Sequence, residues 1–139
     1  MKQEFFNLKI NTKGQKLYEF TDEIISWIKI NNFIDGILNL SIQHTSASLI
    51  VQENADPDVQ IDLLNYFDKL VPMDSSLYTH ITEGKDDMPA HIKSSLTNNQ
   101  ITLSIKDGEL LLGAWQGLYL FEHRLNSQNR KIILHYIGS

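Results

Sequence analysis

The chain has 139 residues, 42% of them hydrophobic, and a formal net charge of −5. That length suits one compact domain with its own core and excludes two ordinary ones. The acidic surplus argues against a broad nucleic-acid surface, and the lack of cysteine excludes disulfide scaffolds, thiolate metal sites and thiol nucleophiles.

Residues 3–10 read as a strand. Thr12-Lys13-Gly14-Gln15 has the form of a capping box, and Leu17, Phe20, Ile24, Trp27 and Ile28 then recur at helical spacing until Asn31-Asn32. Residues 36–43 alternate, with Leu38, Leu40 and Ile42 on one face of a half-buried strand and His44 at the end of that face. A further strand follows, with Ala47, Leu49 and Val51 on one side. Asp56-Pro57 starts a helix whose stripe is Val59, Leu63, Tyr66, Phe67 and Leu70, and Val71-Pro72 stops it. Asp58 and Asp62 lie one turn apart on another face of that helix, where like charges repel. Asp86-Asp87-Met88-Pro89 repeats the helix-start pattern, with Met88, Ile92, Ser95 and Leu96 expected to face inward. Strands over 100–106 and 109–112 flank Asp107-Gly108, a hairpin signal, and strands over 117–123 and 131–137 close the chain. Strands bracketing about three helices predict an α+β fold with largely antiparallel sheets, one domain over residues 1–139.

Titratable chemistry is concentrated in HTSASLIVQENADPD and YTHITEGKDDMPAH, which hold His44, His80 and His91 among carboxylates. Neutral imidazole is both the usual zinc ligand and the usual proton carrier near neutral pH. His91 falls in the first turns of a helix and His80 in an irregular loop. Glu122 shares a strand face with Leu118 and Leu120, so its carboxylate must find a cation or a metal, Arg124 being the structural alternative. His123 points the other way and reads as surface; His135 reads as a core or interface histidine. Asn54, Asp56 and Asp58 are either ligand-binding groups or simple cap and turn chemistry. In Gly113-Ala114-Trp115-Gln116-Gly117, Trp115 offers a stacking plane and Gln116 an amide, or Trp115 plugs a core edge. No HExxH, GxGxxG, P-loop or GxSxG motif is present.

Together, HTSASLIVQENADPD, YTHITEGKDDMPAHIKSSL, DGELLLGAWQGLYLFEHR and RKIILHYIG resemble the YjbQ-type family, often labelled secondary thiamine-phosphate synthase. The resemblance implies a homotrimer with a pocket near the subunit boundary around His44, His80 and His91. Its motifs match Thr45 and Ser46 beside His44, Asn54, Asp56 and Asp58 after Glu53, Asp87 before His91, Trp115 with Gln116, and Glu122. Departures are Lys85, His123, and a final hairpin whose cations are thinned to Arg130 and Lys131. The implied reaction couples a pyrimidine pyrophosphate to a thiazole phosphate. A divalent metal, zinc or magnesium/manganese, would assist pyrophosphate departure, with phosphates received at the helix starts at Pro57 and Pro89.

The expectation is therefore a metal-assisted small-molecule enzyme. His44, His80 and His91 would be metal ligands or proton carriers, with Asp87 and Glu122 supporting. The alternative is a non-enzymatic binding protein for a phosphorylated heterocycle; a third possibility is histidines that only stabilise a trimer interface. No apolar run approaches the roughly 18 residues that cross a bilayer, and MKQEFFNLKI is too short and polar for a signal peptide. A cytoplasmic setting without nucleic-acid or membrane partners is expected.

Overall fold

Alternating strands build two layers around a shared interior in the computed structural model, which describes residues 1–139. In chain order the elements are β1 (Lys2–Lys13), β2 (Lys16–Glu19), α1 (Thr21–Ile30), β3 (Gly36–Ile42), β4 (Ala47–Glu53) and α2 (Pro57–Leu70). Then come α3 (Asp87–Leu96), β5 (Gln100–Lys106), β6 (Glu109–Leu110), β7 (Gln116–Glu122) and β8 (Ser127–Gly138). One sheet has the order β1-β8-β3-β5-β6 and the other β2-β7-β4, every pairing antiparallel. The architecture is the α+β arrangement expected.

The inward face of the five-stranded sheet supplies Leu38, Leu40, Ile42, Ile132, Leu134 and Tyr136. They pack on Ala47, Leu49, Leu118 and Leu120 of the small sheet, with Phe20, Ile24 and Ile28 from the α1 region between. On the far side of the small sheet, Leu17, Tyr119 and Phe121 meet Leu63, Leu64 and Phe67 of α2. β7 is therefore covered on both faces, and this buries Glu122 on one side and His123 on the other.

The hairpin at Asp107-Gly108 forms as read, with both residues at positive φ, as a type I′ turn requires. Asp56 caps α2, its carboxylate accepting from the Asp58 N–H at 2.9 Å. Four readings need correction. Thr12 to Gln15 is no capping box, and the helical repeat does not begin at Leu17: Gly14, at φ +101°, turns β1 into β2, which holds Leu17, the Thr12 hydroxyl donates to Glu122 and the Gln15 amide donates to the His123 carbonyl. The α2 stripe is shallower than expected, since Tyr66 and Leu70 stay exposed. On α3 the buried residues are Asp87, Pro89, Ala90 and Lys93, not Ser95 and Leu96. That helix lies over polar groups, Lys93 reaching Asp68 at 2.6 Å, so its inward side does not read as apolar. Finally, β7 and β8 do not pair; the turn between them carries the chain from one sheet to the other.

Candidate metal centre and the cleft beside it

Asp87 opens α3, and four residues on, His91 stands on the same helical face. The preceding loop folds back through Gly84, at φ +103°, and brings His80 to the same place. His80 Nε2 lies 2.7 Å and His91 Nε2 3.1 Å from Asp87 Oδ2, and the three ligand atoms fall within 4.8 Å of one another. Around a zinc ion with bonds of roughly 2.0–2.1 Å, tetrahedral ligand atoms sit about 3.4 Å apart. The two imidazole–carboxylate separations, 2.7 and 3.1 Å, are shorter than that, so the side chains would open slightly to admit an ion.

Two further contacts fix its protons and its orientation. His91 Nδ1 is 2.9 Å from the Thr45 carbonyl oxygen, which can only accept, so Nδ1 carries the proton. Nε2 then faces Asp87 Oδ2 at 3.1 Å, a distance that calls for a proton or a cation between the two atoms. Asp87 Oδ1 accepts from Arg124 Nη1 at 2.7 Å, so the carboxylate cannot swing away. Arg124 also donates to Asp86 Oδ2 at 2.9 Å and to the Glu83 carbonyl, tying the His80 loop to the helix start.

The electrostatics agree with a cation-seeking cluster. Burial pushes the Asp87 carboxyl up, but hydrogen bonds from its neighbours, His80 first, and the nearby Arg124 charge outweigh it and hold the carboxyl below its usual range. His80 is raised above the ordinary imidazole range, chiefly by its hydrogen bond to Asp87. Both shifts describe an ionised carboxylate that favours positive charge on the imidazole beside it.

The three sequence-predicted histidines do not all converge. His44 stands apart from the triad and lines a polar cleft of about 340 Å³ that also contains Thr45, His91, Ser94, Ser95 and Thr97. Its Nε2 accepts the Lys131 backbone N–H at 2.9 Å, which leaves the proton on Nδ1. Burial and the nearby Arg130 charge lower its pKa, so it is a neutral group beside the triad.

Glu122 is taken up elsewhere. Its carboxylate accepts from the Thr12 hydroxyl at 2.6 Å, Arg130 Nε at 2.8 Å, and the backbone N–H groups of His123 and Arg124 at 3.0 and 3.1 Å. Its ion pair is with Arg130, not Arg124. Ser46 serves the same unit, its hydroxyl and carbonyl oxygens accepting from Arg130 Nη2. His123 is buried, not superficial, because α2 and α3 cover that face of β7. Its Nε2 lies 2.9 Å from the Ser48 hydroxyl, and burial, with Lys93 and Arg130 nearby, lowers its pKa to about 3.

The remaining expected residues gather at the other end of the small sheet. The Asn54 backbone N–H donates to the Trp115 carbonyl at 3.0 Å, and Gln116 Oε1 accepts from the Gly113 N–H. β4 and β7 run from Ala47 opposite Glu122 to Glu53 opposite Gln116, roughly 20 Å at strand rise. Trp115 is 67% exposed there and plugs no core edge. Asp56 and Asp58 are exposed cap residues at the same end. Sequence reasoning missed Arg124 as the clamp on the triad. The signal was available: adjacent Asp86 and Asp87 at a helix start need a nearby cation once buried.

The family described as UPF0047 protein YjbQ-like matches residues 6–139. A UPF0047 protein of Synechocystis sp. is 47% identical over 131 residues, covering 94% of this chain and 89% of that one. The UPF0047 protein YjbQ of Escherichia coli O157:H7 is 41% identical over 127 residues, covering 91% of each. Among solved structures, a conserved yjbq/upf0047 family protein of Clostridium acetobutylicum aligns with TM-score 0.82 at 31% identity, covering 96% of this chain and 99% of that one. A YbjQ-like protein of unknown function from Sulfolobus solfataricus P2 shares the fold, with TM-score 0.86 at 18% identity, over 99% of this chain and 100% of that one.

Proposed function

The chain belongs to the UPF0047 YjbQ-like family, and from that premise we propose that it is a metal-assisted enzyme acting on phosphorylated small molecules. The single observation that carries the reading is the His91 ring. Its Nδ1–H is spent on the Thr45 carbonyl, so Nε2 is the nitrogen turned toward Asp87 Oδ2, where His80 Nε2 also converges. A histidine held through its other nitrogen by a carbonyl, beside a carboxylate held by an arginine, is how metal ligands are oriented. His80, Asp87 and His91 would hold the ion. Three protein ligands leave open positions for substrate or water, as catalytic sites do. Two imidazoles and one carboxylate favour zinc or manganese over magnesium, which prefers oxygen donors.

The substrate pair we assign is a pyrimidine pyrophosphate and a thiazole phosphate. The thiazole nitrogen attacks the pyrimidine methylene carbon, the carbon–oxygen bond breaks, and pyrophosphate leaves with the bonding electrons. The cation would supply charge neutralisation for that departure. Neutral His44, with its proton on Nδ1, stands in the adjoining cleft as a proton carrier or hydrogen-bond donor.

We also assign a homotrimer. The outward face of the five-stranded sheet carries Phe5, Ile37, Ile133, His135 and Ile137 in adjoining register, with Phe5 stacked on His135 at 4.1 Å between ring centroids. Phe5 and Ile37 are more than half exposed. An apolar patch of this kind suits burial against another copy. Packing between copies would also allow the Trp115 end of one chain to approach the triad of another. The test combines turnover and mass. Purified protein with zinc or manganese should form thiamine phosphate from the two precursors, His91→Ala should abolish it, and sedimentation should give the mass of three chains. Metal-loaded protein without turnover would sink this substrate assignment, and monomeric mass would sink the composite site.

A further inference from the structure

A phosphorylated substrate needs cationic donors, and neither helix start has one to spare. At α3 the Asp86 and Asp87 carboxylates occupy the N-terminal end and are answered by Arg124. At α2 the end is ringed by Glu53, Asp56 and Asp58, with Glu53 accepting from the Asp56 N–H and Asp56 from the Asp58 N–H. A phosphate at either place would meet carboxylate oxygens.

A different part of the fold has the required chemistry. A hollow of about 410 Å³ opens at one end of the β1–β8 ribbon, lined by Lys9, Asn11, Asn129, Arg130 and Lys131, with no carboxylate and no apolar side chain. Lys9 stands directly opposite Lys131, and Asn11 directly opposite Asn129, on the same outward face. Like charges in directly opposed strand positions destabilise a sheet. In a chain with 17 acidic and 12 basic residues, neutralising partners are plentiful. Yet neither ammonium takes part in any of the ion pairs. The hollow also adjoins the candidate site, because the Lys131 backbone N–H donates to His44 and His44 lines the cleft beside His91.

We propose that Lys9 and Lys131, flanked by the Asn11 and Asn129 amides, form a binding site for a phosphate or diphosphate group. The two ammonium groups supply charge-assisted hydrogen bonds and the amides supply neutral donors. Arg130 contributes field only, since its guanidinium is engaged by Glu122 and Ser46. The site rests on the proposed function for the kind of ligand it receives, but not on the metal centre.

Calorimetric titration of the metal-free full chain with inorganic pyrophosphate at low salt tests it. Saturable binding is expected, weakened about tenfold or more in Lys9→Ala/Lys131→Ala and restored in Lys9→Arg/Lys131→Arg, because these contacts are charge-assisted. The alanine double variant should keep the wild-type zinc affinity and, without anion, melt no lower than wild type, since a repulsion has been removed. Pyrophosphate binding that the alanine variant retains would overturn the site. So would a wild type that ignores pyrophosphate while the alanine variant loses oligomer mass, because the lysines would then answer carboxylates of another copy. Wild type that binds zinc but not pyrophosphate sinks this site alone; pyrophosphate binding without zinc binding sinks the metal reading alone.

Discussion

Glu122 and Asp87 are both buried carboxylates beside an arginine, and they are satisfied in opposite ways. Around Glu122 the donors are complete: a hydroxyl, two backbone N–H groups and the Arg130 guanidinium fill its lone pairs, and solvent does not reach it. Around Asp87 one oxygen is tied down by a guanidinium, that of Arg124. The other faces two imidazoles whose side chains are 41% and 32% exposed. A saturated buried pair holds the chain in register. A carboxylate left with converging lone pairs at the edge of a cleft is poised to take up an ion. The difference separates structure from chemistry in two residues that the sequence presents alike.

The largest test of that division is Glu122→Ala. It leaves Arg130 buried without its partner, and breaking such a pair costs about 3–5 kcal/mol. Denaturant unfolding should show that loss, with zinc affinity of the remaining folded protein near wild type. Acid unfolding probes the same region. His123, whose N–H donates to Glu122, has its folded pKa lowered to about 3 by burial. A depressed folded pKa gives stability that is present above the unfolded value near 6.5 and is lost as pH falls toward 3, by up to about 1.4 kcal/mol per pH unit. His123→Gln, whose amide can replace the ring's hydrogen bond with Ser48 in either direction, should flatten the stability curve over that window relative to wild type.

On the other side, Asp87→Asn should lower zinc affinity about 100-fold, as expected for loss of a ligand charge, with a much smaller effect on unfolding than Glu122→Ala. The smallest metal effect belongs to His44→Ala. Because its ring lies outside the triad, zinc affinity should stay within about threefold, less than 1.4 kcal/mol, while turnover falls.

Most of the scaffold was legible. Alternation at Leu38, Leu40 and Ile42, the Asp56-Pro57 start and the Asp107-Gly108 turn each act through local backbone physics, and local physics is what a sequence displays. The capping box failed because Thr12 and Gln15 satisfy partners more than 100 positions away, which no local pattern records. The partner of Glu122 was misread for the same reason: Arg124 and Arg130 both follow β7, and the turn between β7 and β8 decides which one faces Glu122. In the site, the Asp87–His91 pair follows from helical spacing, but His80 arrives through a loop and His44 is drawn to the Lys131 N–H. The distance between Trp115 and the histidines needed the β4–β7 register, which sets them at opposite ends of seven paired positions.

Zinc titration of the metal-free chain, followed by calorimetry in wild type, His80→Ala, Asp87→Asn and His91→Ala, addresses the triad most directly. The account predicts one ion per chain in wild type and a loss of affinity of about 100-fold or more in each variant. Wild-type protein that binds no stoichiometric ion, or that binds one equally well after all three substitutions, would contradict it.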